Sequence, residues 1–149
     1  MANPKIILAT DHAGFELKEE VKKFLLLEGY KVDDKGAHSY DKEDDYPDFI
    51  FPAAKEVAKD KGSVGIIFGG SGQGEATCAN RIKGVRAAVY NTDNFELIKL
   101  SRIHNNANVL SIGARFVAKS HAIEAVKLWL STDFAGEERH LRRIKKLDK

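Results

Sequence analysis

"VGIIFGGSGQGEA", residues 64–76, decides how the rest of the chain is read. Its first five residues are apolar and uncharged, the mark of a short strand buried on both faces, since a strand with one wet face would alternate. Glycines at 69, 70, 72 and 74 follow at once and let backbone N–H groups approach a ligand closely, and a helix is predicted from about Gly74 to Ile82. Strand, glycine turn and helix in that order are half of a βαβ unit. The flanking sequence must then supply the other strands.

It does so on both sides. Upstream, Ile6 to Ala9 form an apolar run ending in Thr10, Asp11 and His12, and Leu17, Val21, Phe24 and Leu25 fall on one helical face. Gly29 stops that helix, "YKVDD" (30–34) reads as a second strand, and the polar stretch 35–48 leads to Pro47, which opens a helix carrying Phe49, Ala53 and Val57. Downstream, "VRAAVY" (85–90) precedes a helix around Phe95–Ile103. "NVLSIGA" (108–114) precedes one with Ile123, Val126 and Leu130. Strands separated by helices pair most simply in parallel, so the expectation is a Rossmann-like three-layer α/β/α sandwich around a five-stranded parallel sheet, one domain over residues 1–149. Neither internal repeats nor low-complexity tracts are present. A last helix, about 137–147, places Leu141, Ile144 and Leu147 on one side and Arg139 and Arg143 on another; with no sixth strand to cover, it is expected to pack on a partner subunit.

Composition narrows the partners. The 24 basic and 22 acidic residues leave a formal charge of +2, too balanced for a general polyanion binder, although "RHLRRIKK" (139–146) concentrates positive charge. The anion expected is therefore small, and nucleic acid is not. Cys78 is the only cysteine, so no internal disulfide can form. The start of the chain lacks the pattern of a secretion signal, and no apolar run approaches the roughly 20 residues that cross a bilayer, so no membrane is expected and a cytoplasmic protein is the simplest reading.

In a doubly wound sheet ligands sit beyond the carboxyl ends of the strands. The residues that follow strands here are Asp11 and His12, Gly69 to Glu75, Asn91 to Asp93, and Gly113 to Arg115. The glycine loop suits a phosphate or an oxyanion, yet it fails both familiar nucleotide patterns: Glu75 and Ala76 stand where a Walker loop needs Lys and Ser/Thr, and Glu75 takes the third glycine position of G-x-G-x-x-G. A carboxylate repels a phosphate, but beside a sugar carbon next to a carbonyl it can take a proton while N–H groups hold the developing enolate oxygen. Glu75 therefore reads as a base, against the plainer reading of a helix-favouring acid at a tight turn. Asp11 is equally a helix cap and His12 a solvated side chain; His104 and Asn105 suit a turn as well as a site; Arg115, Arg139 and Arg143 fit a phosphate or a solvated basic face. Tyr46 is either a packing aromatic or a wall of the site, and Cys78 reads as core.

Taken together, "DHAGFELK" (11–18), "DYPD" (45–48), "GGSGQGE" (69–75), "ANRIKGVRAA" (79–88), "HNNANVLSIGAR" (104–115) and "RHLRRI" (139–144) resemble, in order and over nearly the whole chain, the ribose-5-phosphate isomerase B family. The resemblance implies an aldose–ketose isomerase interconverting D-ribose 5-phosphate and D-ribulose 5-phosphate in the pentose phosphate pathway. It further implies no metal or other cofactor, and a homodimer or homotetramer with sites between subunits. Gly70, Ser71, Gly72, Gln73 and Gly74 then surround the sugar oxygens, with only the backbone of Gln73 mattering. Asp11 and His12 match the family's substrate-binding pair, Asn105 its loop amide, Arg115, Arg139 and Arg143 its remaining substrate and phosphate contacts, and His104 its proton donor in ring opening. One branch of the family carries a cysteine base at the position of Gly69; this chain resembles the branch whose base is the glutamate at Glu75. Other expectations stay open: a hexose-phosphate isomerase of the same family, acting on allose or galactose 6-phosphate; a nucleotide-binding Rossmann-like module using Asn91 to Asp93; or a non-catalytic sugar-phosphate sensor.

Overall fold

The computed structural model describes residues 3–149. Five strands, β1 (Lys5–Thr10), β2 (Val32–Asp34), β3 (Ser63–Gly69), β4 (Ala87–Tyr90) and β5 (Val109–Gly113), alternate with helices α1 (Phe15–Leu27), α2 (Pro47–Lys59), α3 (Gln73–Ala79), α4 (Phe95–Ile103) and α5 (Lys119–Ser131). A terminal helix, α6 (Glu138–Lys145), follows. All pairings are parallel and the spatial order is β2-β1-β3-β5-β4. The chain winds outward from β1 to β2 and then returns to β3, so the sheet reverses direction between β1 and β3, where the turns at their carboxyl ends diverge and leave a crevice.

Alternation along each strand feeds two cores. Ile6 and Leu8 of β1, Ile66 and Phe68 of β3, and Leu110 and Ile112 of β5 face one way, against Val21 and Leu25 of α1, Ile98 of α4, and Val126 and Trp129 of α5. Ile7 and Ala9, Ile67, and Val109 face the other way, against Ile50, Ala53 and Val57 of α2 and Cys78 and Ala79 of α3. Both faces of the sheet are thus covered, which is why the central strands are apolar throughout. The expected three-layer sandwich is the observed one.

Element boundaries differ from the expectation in places. β4 starts at Ala87 rather than Val85, because the side-chain Oδ1 of Asn108 accepts from the Arg86 N–H at 2.7 Å. α3 ends at Ala79, where turns close through Ile82. The terminal helix forms within the expected range and leaves most of its apolar side exposed. Leu141 (40% exposed) and Leu147 (64%) face outward and the buried residue is His140, whose ring stacks on His104 with centroids 4.5 Å apart. Asp148 Oδ2 accepts from the Gly84 N–H at 3.0 Å. α6 therefore covers the amino edge of its own sheet with one face.

The polar segment between β2 and α2 is held at its base by Lys18. This side chain is fully buried, and its Nζ donates to both oxygens of Asp34, at 2.7 and 3.0 Å, and to the Ala37 carbonyl at 2.6 Å. Burial pushes the Asp34 carboxyl up, but the bonds from Lys18, the Gly36 N–H and Lys22 outweigh it and leave it below the usual range. The anchored segment passes over the carboxyl edge of the sheet.

Candidate active site

The turn between β3 and α3 requires glycine where its backbone turns. Gly72 caps α3 with φ of +80°, and a Cβ there would press on the Ile112–Gly113 backbone. Its carbonyl accepts from the buried Ser111 Oγ at 2.6 Å, and Asn91 Nδ2 donates to the Ser71 carbonyl at 3.0 Å. With the carbonyls tied back, the N–H groups of Gly70, Ser71 and Gly72 donate to no protein acceptor among the described residues. The Ser71 Oγ accepts from the Gln73 N–H at 3.2 Å, so the serine also caps α3.

Glu75 turns back from the first turn of α3 and is 4% exposed. Its carboxylate occupies the space that a side chain on Gly69 would take: a Cβ built there overlaps Oε1, Cδ and Oε2. A side chain at position 69 and the Glu75 carboxylate are therefore alternatives for one volume. Burial pushes the Glu75 carboxyl up; its own backbone N–H opposes this and the nearby Asp11 charge adds to it. A carboxyl moved up toward neutral pH can accept a proton and return it. Cys78, one turn on, is buried, and burial together with the Glu75 charge pushes its thiol up, the opposite of what activates a cysteine.

Around this loop the fold gathers several of the expected residues. Asp11 is buried at the end of β1, where its Oδ1 accepts from the Ala13 N–H at 3.0 Å and caps a short 3₁₀ turn. Next to it, the His12 imidazole Nδ1 lies 2.7 Å from Asp44 Oδ1. The bond to Asp44 raises the affinity of His12 for its proton, desolvation opposes it, and Asp11 adds to the rise. Arg115 bonds through its backbone N–H to the Gly70 carbonyl at 3.0 Å and lays its guanidinium over Gly70. Tyr46 places its ring over Gly74. Asp11, His12 and Asp44 bring one donor atom each within 4.8 Å of one another. Their hydrogen bonds already use the imidazole Nδ1 and one oxygen of each carboxylate, and we assign no metal there.

The remaining expected residues lie elsewhere. His104 and Asn105 stand between α4 and β5, ahead of the strand whose far end carries Arg115, and so belong to the opposite, amino edge of the sheet. They line a cleft of about 200 Å³ with His140 and Arg143 of α6. Arg139, one turn before Arg143, is exposed and pairs with Glu137. At about 3.3 Å per residue, the five-residue β5 alone separates the two groups by roughly 15 Å. Within one chain, then, Glu75 has Asp11, His12, Tyr46 and Arg115 around it, and lacks His104, Asn105, Arg139 and Arg143.

Two participants escaped the sequence reading. Asp44 sits in the run "DKEDD" and looks like any solvated acid; Asn91, which the sequence offers as part of a ribose-binding end, instead props the loop. Asp93 of that same stretch pairs with His121 on the surface.

Comparison with known proteins gives a consistent result. A family model described as Ribose/Galactose Isomerase matches residues 6–147. The chain is 40% identical over 144 residues to ribose-5-phosphate isomerase B of Mycobacterium leprae, covering 97% of this chain and 88% of that one. Among solved structures it superposes on a ribose 5-phosphate isomerase of Thermotoga maritima with a TM-score of 0.92 at 40% identity, covering 99% of both chains. It also superposes on ribose-5-phosphate isomerase B of Mycoplasma genitalium with bound ribulose-5-phosphate, with a TM-score of 0.91 at 40% identity, covering 96% of this chain and 93% of that one.

Proposed function

We infer the reaction from a fixed premise: the chain belongs to the ribose/galactose isomerase family. It is an aldose–ketose isomerase that interconverts D-ribose 5-phosphate and D-ribulose 5-phosphate. The observation that carries the chemistry is the buried carboxylate of Glu75 beside three free backbone N–H groups.

In the reaction we assign to these residues, Glu75 removes the proton from C2 of the open-chain aldose, a proton is returned at C1, and the hydroxyl proton of O2 passes to O1, leaving the ketone at C2. The negative charge that develops on oxygen falls to the N–H groups of Gly70, Ser71 and Gly72, with the Ser71 hydroxyl and Gly74 beside them. Donors of this kind are fixed before the charge appears, and each is worth about a hundredfold to a thousandfold in rate. Asp11 and His12 hold sugar oxygens, Tyr46 walls the site, and Arg115 stands over the loop as a cation.

Ring opening needs an acid, and His104 is the side chain we assign to it. Its place at the opposite edge of the sheet supports a homodimer in which His104, Asn105, Arg139 and Arg143 of one copy complete the site around Glu75 of the other. Arg139 and Arg143, one turn apart, then hold the phosphate by charge-assisted bonds. In a two-fold pair each edge meets the opposite edge of its partner, so two complete sites form at once.

The test is conversion of ribose 5-phosphate to ribulose 5-phosphate by the purified chain in a metal chelator, with allose 6-phosphate and galactose 6-phosphate in parallel. The pentose phosphate should turn over fastest. A hexose phosphate turning over faster would change the substrate, and no turnover of any would reject the reaction.

A further inference from the structure

The acidic run before α2 contains Asp41, Glu43, Asp44 and Asp45, and of these only Asp44 is withdrawn from solvent. Its side chain is 9% exposed, in a turn closed by the bond from the Asp44 N–H to the Asp41 carbonyl at 3.0 Å. Asp44 Oδ1 meets His12 twice, accepting from the backbone N–H at 3.1 Å and lying 2.7 Å from the ring Nδ1. The other oxygen, Oδ2, is buried with no partner among the described residues. A carboxylate held this way is costly unless a positive charge answers it.

An ionised carboxylate only accepts, so Nδ1 must carry a proton. The second ring nitrogen, Nε2, has no protein partner among the described residues, in a side chain that is 23% exposed. The groups that face this ring are Asp11 at the end of β1, Asp44 and Tyr40 from the segment before α2, and Arg115 after β5. The Tyr40 ring meets it edge-on at 6.0 Å. Two carboxylates against one guanidinium favour the imidazolium.

We propose that Asp44 is a positioning residue for the isomerase: it locks His12 with Nδ1–H turned inward and keeps the ring charged, so that Nε2–H is a cationic donor to an oxygen of the sugar phosphate. The proposal rests on the isomerase reading for the substrate and on geometry alone for the lock. It assigns Asp44 no contact with substrate. Its effect reaches the reaction only through His12.

The test uses the full chain with Asp44→Asn, which keeps the shape and an acceptor but removes the charge, and Asp44→Glu, which keeps the charge. Imidazole resonances of His12, identified by their loss in His12→Gln, are followed by NMR against pH. In the native chain they should report a protonated Nδ1 and a titration above that of a free histidine. In Asp44→Asn the titration should move down, and in Asp44→Glu it should move back. A pH profile of kcat/KM gives the second reading: activity depends on the protonated ring, so it falls as pH rises through the His12 titration. In Asp44→Asn this alkaline fall should begin at lower pH, with about a tenfold loss at neutral pH and near-native rates where the ring is still charged. A titration unmoved by Asp44→Asn, or a loss equal at every pH, overturns the proposal. The NMR reading needs no turnover, so it decides the lock even if the chain failed to isomerise.

Discussion

Adding one methyl group at Gly69 is the sharpest way to perturb the base without touching it. The backbone there has no positive φ, so alanine is locally allowed, but the new Cβ falls on the carboxyl group of Glu75. Carbon and carboxylate atoms need about 3.5 Å between them, and the overlap obliges the carboxylate to retreat by more than 1 Å. A misplacement of that size costs roughly a hundredfold in turnover, or about 2.7 kcal/mol in the barrier. The fold should tolerate the change, because the group displaced is the far end of a flexible side chain. Gly69→Ala should therefore lower kcat about a hundredfold while KM stays within a few-fold and thermal stability changes little. The double variant Gly69→Ala with Glu75→Gln should be no slower than Glu75→Gln alone, since both remove one function. Native-like kcat in Gly69→Ala, or losses that multiply in the double variant, would refute the placement of the base.

Three further outcomes are expected. Glu75→Gln should raise the melting temperature at neutral pH; because the folded carboxyl is shifted upward, the native chain loses stability as pH rises from the unfolded carboxyl value through the folded one, so the gain should vanish below about pH 4, and differential scanning across pH reads it. Lys18→Met leaves the buried Asp34 with Lys22 as its only cation and should cost roughly 3 kcal/mol in denaturant unfolding at neutral pH. The Asp34 carboxyl is shifted downward, so its ion pair contributes above the unfolded value and is lost as pH falls through the folded one; the Lys18→Met deficit should shrink in acid accordingly. Mixing inactive Glu75→Gln with inactive His104→Ala after subunit exchange should restore about a quarter of native activity, because half the dimers are mixed and one of their two sites is intact; no recovery with demonstrated exchange would place both residues in one chain's site.

The layers of the fold were legible because uncharged strands and evenly spaced helical faces leave little choice of architecture. Glu75 was legible because glycines at fixed spacing set a backbone cradle that a carboxylate contradicts unless it does chemistry. Asp44 was not, since nothing in an acidic run tells which member turns inward; that depends on the loop fixed by Lys18 and Asp34. The burial of His140 in α6 was not legible either, because it comes from stacking on His104, while Leu141 and Leu147 stay exposed. The separation of His104 from Glu75 is a consequence of parallel strands: a residue ahead of β5 and residues beyond β1 and β3 lie at opposite edges.

Exchange of the substrate's C2 proton with deuterated water, followed by NMR in native and Glu75→Gln protein at saturating ribose 5-phosphate, addresses the base directly. The native chain should form ribulose 5-phosphate and label the reacting carbons, while Glu75→Gln should bind the sugar phosphate with similar affinity and neither exchange nor convert it. Exchange at a native rate in Glu75→Gln would mean that another group takes the proton.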